Sequence, residues 1–196
     1  KGQDHLWVSR GGLKLIEALD HFEIDPTGAV CLDIGASTGG FTDVLTSRGA
    51  ARVSAVDVGH GQLAWKIRND ERVVVLERTN ARHITADEVP DEIDFICCDA
   101  SFIGLQTILP APLSLAGENA QMIALIKPQF EVGKSQVGKK GVVRDPALHE
   151  EVCDRISAWL DGLADWHVLG IEESPITGPE GNKEFLIAAR RNSGQQ

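Results

Sequence analysis

The feature that most restricts the fold is a glycine-rich segment between two apolar stretches. Residues 29–34 (AVCLDI) read as a buried strand, residues 35–40 (GASTGG) as a turn, and residues 41–48 as a helix. Glycine accepts a positive φ and lets a ligand approach the main chain closely. A strand, a glycine-rich turn and a helix in this order are typical of the nucleotide-binding edge of a parallel sheet. The segment therefore predicts an α/β fold with a ligand site at this turn.

The rest of the chain repeats the alternation of strand and helix. Strand-like runs lie at 29–34, 52–58, 73–77, 93–98, 122–126, 166–171 and 185–189, and helical patterns at 9–22, 41–48, 62–68, 105–115 and 147–163. This pattern predicts a mostly parallel, seven-stranded sheet with helices on both faces, whose last two strands form an antiparallel pair. The chain of 196 residues fits one domain, 1–196, with an opening helix at 9–22 and a Rossmann-like core at 29–191.

The composition restricts the location of the protein and its chemistry. No apolar run approaches the ~20 residues that cross a bilayer, and no basic-then-apolar leader opens the chain. We therefore expect a cytoplasmic protein without a membrane partner. The four cysteines (Cys31, Cys97, Cys98 and Cys153) form no CxxC pair and have no histidine at metal-ligand spacing, so we expect reduced thiols and no metal.

The net charge of −10 is unusual for a protein that binds nucleic acid. Three explanations stay open: the basic residues are concentrated on one face, another domain supplies the affinity, or nucleic acid is not the partner. The chain begins at Lys1, and its only methionine is Met122. A chain without an initiating methionine suggests the hypothesis of a fragment whose N-terminal part has been removed.

The glycine-rich turn departs from the common phosphate-binding patterns. The third position of the G-x-G-x-x-G pattern is Ser37 here, and no G-x-x-x-x-G-K-[ST] loop is present. Asp33, just before the first glycine, would suit a cationic or amine-bearing ligand. S-adenosylmethionine, which has a sulfonium, an amino group and no phosphate, fits this turn. The alternative, that the glycines only shape a turn, stays open.

Acidic and amide side chains follow the next two strands. Asp57 lies 24 residues after Asp33, a position at which an acid commonly binds the ribose hydroxyls of an adenosine; a strand-end cap is the alternative. Asn80, after the third strand, is predicted to lie beside the adenine or to serve as a turn residue. The residues predicted to bind S-adenosylmethionine (product S-adenosylhomocysteine) are Asp33, Gly35, Ala36, Ser37, Gly39, Gly40, Phe41, Asp57, Val58, Asn80 and Asp99.

Two further strands end in charged residues. Asp99 follows the fourth strand and Lys127 the fifth, so both are predicted at the same edge of the sheet. Lys14 lies on the opening helix, and Glu184 opens the last strand. An acid after an apolar strand is costly unless it is paired or lies at the rim, so a surface ion pair is the alternative to a catalytic role.

The chain resembles the haemolysin-A-type (TlyA) branch of the FtsJ-like ribose 2′-O-methyltransferases. The segments that carry the resemblance are SRGGLKL (9–15), LDIGASTGGFTD (32–43), VDVGHGQLAW (56–65), ERTNAR (77–82), DASFIGL (99–105), LIKPQFEVGK (125–134), GVVRD (141–145) and GPEGNKEFL (178–186). The resemblance implies a Rossmann-like S-adenosylmethionine-dependent methyltransferase fold and a ribosomal RNA or ribosomal subunit as partner. It implies a Lys-Asp-Lys-Glu catalytic tetrad, here Lys14, Asp99, Lys127 and Glu184. Members usually carry an N-terminal RNA-binding domain of the S4 type, which we expect to be absent from this chain.

Within that tetrad we expect Lys127 to orient and activate the ribose hydroxyl, while the route of the hydroxyl proton stays open.

The chain also has a basic loop, which is predicted to contact phosphates and consists of Lys134, Lys139, Lys140 and Arg144, extended by Arg10. A solvated, flexible loop is the alternative. The aromatic residues near the motifs (Phe41, Trp65, Phe102 and Phe130) are expected to pack inward rather than stack on bases.

Three functions remain: 2′-O-methylation of ribosomal RNA, methylation of a small molecule or protein, and a membrane-active or non-catalytic role. The tetrad favours the first function, and the net negative charge favours the second. No strongly basic amphipathic helix supports the third.

Overall fold

The computed structural model describes residues 5–192, so Lys1, on which the fragment hypothesis depends, lies outside the described part. The strands are β1 (Val30–Ile34), β2 (Arg52–Val56), β3 (Val73–Leu76), β4 (Ile93–Cys98), β5 (Ala116–Ile126), β6 (Trp166–Glu173) and β7 (Phe185–Arg191). They form one seven-stranded sheet in the order β3-β2-β1-β4-β5-β7-β6. Strands β1 to β5 pair in parallel, whereas β7 runs antiparallel to both β5 and β6. The predicted strand number, the mostly parallel arrangement and the final antiparallel pair are confirmed.

The helices are α1 (Gly11–His21), α2 (Gly40–Ser47), α3 (Trp65–Arg68), α4 (Leu105–Ile108), α5 (Pro110–Leu113) and α6 (Pro146–Asp161). They cover both faces of the sheet, as predicted. Apolar residues of α1 and α2, such as Leu15 and Val44, pack on one face. Residues of α4, α5 and α6, such as Ile156, pack on the other face. The two buried faces hold the strand ends in fixed positions.

Two helical predictions need correction. The pattern at 105–115 predicted one helix, but Pro110 has no N–H to continue the hydrogen-bond ladder, and the segment forms α4 and α5. The pattern at 62–68 gives only the single turn of α3. By contrast, α6 begins as predicted at Pro146, and the side chain of Asp145 caps it by accepting from Ala147 N at 2.9 Å.

Strand β5 is longer than the sequence predicted. It begins at Ala116 rather than Met122, and its pairing with β4 shifts between Ile93 and Phe95. Polar residues at 118, 119 and 121 concealed this first half. Within residues 5–192, none of the helices is long and apolar enough to span a membrane.

Candidate active site at the carboxyl edge of the sheet

The carboxyl ends of β1 to β4 surround a cavity of about 450 Å³. The predicted cofactor residues that line it are Gly35, Ser37, Asp57, Val58, Asn80 and Asp99. A second, smaller recess beside it is lined by Ala36, Gly40 and Phe41, and again by Gly35, Ser37 and Asp99. The structure therefore brings most of the predicted cofactor residues to these two depressions; Gly39 and Asp33 line neither.

The glycine-rich turn passes so close to its neighbours that two of its glycines have no room for a side chain. Gly35 has φ +76°, and a Cβ there would lie 2.3 Å from the carbonyl oxygen of Asp99. A Cβ at Gly40 would lie 2.2 Å from Ser9 Oγ. The first close approach joins the ends of β1 and β4, and the second joins α2 to the segment before α1. These glycines therefore bring the turn, Asp99 and α1 together.

The carboxylate of Asp57 holds the backbone around the cavity. Its Oδ2 accepts a hydrogen bond from Ser37 N, and its Oδ1 accepts one from Gly59 N, both at 2.8 Å. Each oxygen keeps a second lone pair. The carboxylate therefore orders the turn and retains the capacity to accept hydroxyl donors from a ligand in the cavity. The side chain of Asn80 also uses part of its hydrogen-bonding capacity within the protein, because its Oδ1 accepts a hydrogen bond from Arg82 N at 3.0 Å.

Asp33 lies in a different environment from the one that the sequence suggested. Its side chain is fully buried within β1, and its Oδ2 accepts a hydrogen bond from Thr42 Oγ1 at 2.6 Å. Burial raises the pKa of Asp33 to about 7, and the nearby charge of Asp99 adds to the shift, while the Thr42 bond opposes it. The carboxyl supports the turn from behind the cavity surface.

Lys127 and Asp99 form an ion pair at the edge of the cavity. Lys127 Nζ lies 2.6 Å from Asp99 Oδ1 and donates a hydrogen bond to Ser101 Oγ at 3.2 Å. The Lys127 side chain is only 8% exposed, whereas that of Asp99 is 23% exposed and lines the cavity. The pair is therefore oriented by the fold and open to a ligand on the Asp99 side.

Lys14 and Glu184 form a second, closed ion pair. Lys14 Nζ lies 2.5 Å from Glu184 Oε2, and the side chains are 9% and 0% exposed. Glu184 Oε1 is buried without a hydrogen-bond partner among the described residues. A Cβ at Gly178 would lie 2.1 Å from that oxygen, so a side chain at this position would displace the Glu184 carboxylate from its place beside Lys14.

The sheet topology brings the two pairs together. Because β7 is antiparallel to β5, its first residue, Phe185, pairs with the last residue of β5, Ile126. Glu184 and Lys127 therefore lie side by side at the same edge. Lys14 and Asp99 line the same recess. All four residues of the predicted tetrad meet at one place.

Sequence reasoning missed Ser101, which accepts from Lys127, and Ser9, which contacts the glycine turn. Their positions inside the segments SRGGLKL and DASFIGL were the available signal. The expectation that the aromatic residues pack inward is right for Phe41, which is 4% exposed. It is wrong for Trp65 and Phe102, which are 79% and 89% exposed. Phe102 has φ +64° and lines the cavity.

The predicted RNA-binding residues are all exposed: Arg10, Lys134, Lys139, Lys140 and Arg144. The segment contains short 3₁₀ turns at Lys134–Gln136 and Lys139–Gly141, and phosphate contact by its cations stays a prediction beside the alternative of a solvated, flexible loop. Within residues 5–192, no group of three or more His, Cys, Asp or Glu side chains has the arrangement of a metal site.

Comparison with known proteins agrees with this geometry. Residues 7–191 match the family model described as FtsJ-like methyltransferase. The "16S/23S rRNA (cytidine-2'-O)-methyltransferase TlyA" of Mycobacterium tuberculosis is 51% identical over 187 residues, which cover 95% of this chain and 69% of that protein. The "Hemolysin A" of Brachyspira hyodysenteriae is 43% identical, with 94% of this chain and 77% of that protein covered.

A solved structure described as "Putative hemolysin from Streptococcus thermophilus" superposes with a TM-score of 0.92 and 43% identity, covering all of this chain and 71% of the other. The family model spans almost the whole sheet, including both ion pairs and the glycine-rich turn. The chain therefore belongs to the FtsJ-like methyltransferases.

Proposed function

We propose that this protein transfers the methyl group of S-adenosylmethionine to a ribose 2′-hydroxyl of ribosomal RNA. The observation that carries the proposal is the Lys127–Asp99 ion pair at the mouth of the 450 Å³ cavity, beside the closed Lys14–Glu184 pair. A ribose hydroxyl is a weak nucleophile and needs a fixed orientation and help in losing its proton. An oriented lysine at the edge of the cofactor cavity meets that need.

The cavity has the features that S-adenosylmethionine requires. Gly35 lines the cavity with its main chain alone, and Asp57 keeps acceptor capacity for ribose hydroxyls. Asp99 supplies negative charge where a sulfonium would lie. When bound, S-adenosylmethionine supplies an electrophilic methyl group.

Lys127 is the activating residue. Its ammonium group has three N–H donors, of which one points to Asp99 and one to Ser101. The third is available to the oxygen of the attacking hydroxyl, which it orients and whose developing negative charge it stabilises. Because an ammonium group has no acceptor, the hydroxyl proton leaves to solvent. Asp99 holds Lys127 in place, and the Lys14–Glu184 pair fixes α1 and the start of β7 around the recess. No metal is needed in this scheme.

The surface around the site supports an RNA substrate in spite of the net charge of −10. The loop from Lys134 to Arg144 has four exposed cations and no acidic residue. Arg10 is exposed just before α1, which carries Lys14. The ring of Phe102 lies 4.9 Å from that of Phe130 and is 89% exposed at the cavity, so it offers an open face for stacking on a base. Ribosomal RNA is the substrate that the mycobacterial relative has in its name.

The test uses labelled S-adenosylmethionine and unmodified ribosomal subunits, with Lys127→Ala as the control variant. A 2′-O-methyl group blocks alkaline hydrolysis at its own phosphodiester bond, so the label is expected in alkali-resistant dinucleotides for the wild type alone. Label that is released entirely as mononucleotides would contradict ribose methylation, even if methyl transfer occurs.

A membrane-active role is the second candidate, because one similar protein has the name Hemolysin A. A liposome leakage assay with the wild type and Lys127→Ala separates the two activities. We expect no leakage from either. Leakage of equal extent in both would support a second activity that does not depend on the methyl-transfer site.

A further inference from the structure

The basic loop is held by buried groups at its C-terminal half. Val142 and Val143 are 4% and 2% exposed, although the cations on either side are exposed. Gly138 N donates a hydrogen bond to Val142 O at 3.0 Å, which closes the loop on itself. The chain reverses at Lys140 and Gly141, with φ of +60° and +72°. The loop therefore presents its cations from a folded base.

Asn182 fastens that base to the rest of the domain. Its side chain accepts from Val143 N at 3.1 Å through Oδ1. Through Nδ2 it donates to Gly141 O at 2.9 Å and to Pro179 O at 3.2 Å. The residue is 3% exposed, so water cannot readily replace these bonds.

A second interaction closes the other side. His149 of α6 lies 2.8 Å through its Nε2 from the carbonyl oxygen of Val143, which fits an Nε2–H donor. The His149 ring also lies 5.6 Å from the ring of Phe185, the first residue of β7. Residues 141–143 are thus held between Asn182 and α6.

The same segment that carries Asn182 also carries Glu184 of the predicted tetrad. Gly178 N donates to Asn182 O at 2.8 Å, and Ser174 N donates to Glu184 O at 2.9 Å. Gly178 itself packs against the Glu184 carboxylate. One short, internally bonded segment therefore contacts the basic loop on one side and the tetrad on the other.

We propose that Asn182 is a positioning residue that sets the phosphate-binding loop at a fixed distance from the tetrad. Cations at Lys139, Lys140 and Arg144 would hold the backbone of the RNA substrate, and Asn182 would fix where that backbone lies relative to Glu184 and Lys127. The inference rests on the proposed RNA methyltransferase function and adds a residue to it. Asn182 is uncharged, so its effect is separable from simple attraction to phosphate.

The experiment compares the full protein with Asn182→Ala for methylation of ribosomal subunits, binding of S-adenosylmethionine, and RNA binding over a range of salt concentrations. The KM for RNA is expected to rise about ten-fold while the affinity for S-adenosylmethionine stays within about two-fold. The loop loses its side-chain bonds, whereas the main-chain bonds at Gly178 and Ser174 still hold the Glu184 segment. The slope of log K against log salt should fall by about one unit for each phosphate that the displaced loop no longer neutralises. Asn69→Ala is the matched control, since Asn69 is exposed and bonds only the Trp65 carbonyl at 2.8 Å; it should leave all three readouts unchanged.

A second variant covers the case in which Asn182→Ala fails to fold. Gly141→Val adds a side chain in open space but disfavours the positive φ of this exposed residue, so it perturbs the loop alone. It should also raise the KM for RNA and lower the salt slope. A folded variant at either position with the wild-type KM and salt slope would overturn this inference and leave the proposed function intact. Wild-type protein that methylates no RNA would instead overturn the proposed function, and this inference with it.

Discussion

Two lysine–carboxylate pairs with almost the same geometry lie at one edge of the sheet, and they differ in their access to a ligand. In the closed pair, Lys14 Nζ lies 2.5 Å from Glu184 Oε2, and the Glu184 side chain is 0% exposed. In the open pair, Lys127 Nζ lies 2.6 Å from Asp99 Oδ1, and the Asp99 side chain is 23% exposed. The closed pair has a buried oxygen that no substrate reaches without movement. The open pair borders the cavity and has Ser101 as a further partner. We therefore propose that the open pair carries the chemistry and that the closed pair has a positioning role, with Lys14 at the recess that Asp99 also lines.

The largest expected effect is at the open pair. Lys127→Met removes the donor that we propose for the substrate hydroxyl while it keeps most of the side-chain volume. We expect kcat to fall by about 10³-fold, in the range for loss of a donor that stabilises a developing oxyanion, with little change in affinity for S-adenosylmethionine. Steady-state kinetics and calorimetric titration of the cofactor measure the two quantities. A kcat near that of the wild type would remove Lys127 from the mechanism.

Substitutions in the closed pair should change the free energy of unfolding. Lys14→Ala leaves the Glu184 carboxylate buried without its cation, which costs about 3–5 kcal/mol in comparable sites. The double variant Lys14→Met/Glu184→Met removes both charges and should recover most of the free energy of unfolding. Urea denaturation of the single and double variants measures this. Equal loss in both would show that packing, rather than the unpaired charge, is responsible.

A third prediction concerns the buried carboxyl behind the turn. The pKa of Asp33 is about 7 in the folded protein and near 4 when unfolded. Between these values the unfolded chain releases a proton that the folded chain retains, so stability falls as pH rises, by up to about 1.4 kcal/mol per pH unit. Above pH 7 both states are ionised and this contribution is constant.

Asp33→Asn should therefore flatten the stability profile between about pH 4 and pH 7. Asp87→Asn, at an exposed position, is the matched control and should leave the profile unchanged. Denaturant titrations at several pH values measure the slopes. A profile of the Asp33 variant that matches the wild type would mean that the carboxyl is already ionised at low pH.

The smallest effect is expected at Ser101. Its hydroxyl accepts from Lys127 at 3.2 Å, and Ser101→Ala leaves Asp99 as the remaining partner of that lysine. We expect kcat to fall about three- to ten-fold, the equivalent of one modest hydrogen bond. A larger loss, comparable to that of Lys127→Met, would mean that Ser101 contacts the substrate directly.

The sequence predicted the elements that depend on local pattern. The glycine-rich turn, the seven strands and the acids at 57 and 99 follow from short apolar runs and the residues that end them. The tetrad followed from the family resemblance, and the antiparallel β7 explains why Glu184 joins it.

The rest depended on interactions between distant segments. Asp33 has the same sequence context as an acid that faces the cavity, yet its strand position places it behind the surface. The exposure of Trp65 and Phe102 depends on loop conformation, which the hydrophobic periodicity of the sequence does not predict. The three bonds of Asn182 join residues up to 41 positions apart in the chain, so no local signal revealed them.

The most direct test of the difference between the two pairs is a single-turnover measurement of methyl transfer to ribosomal RNA, at saturating S-adenosylmethionine, for Lys127→Met and Glu184→Gln side by side. Both variants keep side-chain volume, and Glu184→Gln keeps an acceptor for Lys14. We predict that the rate falls about 10³-fold in the first variant and only about ten-fold in the second, because in the proposed mechanism Lys127 alone contacts the reacting oxygen. Equal losses in two folded, cofactor-binding variants would contradict the division of roles between the open and the closed pair.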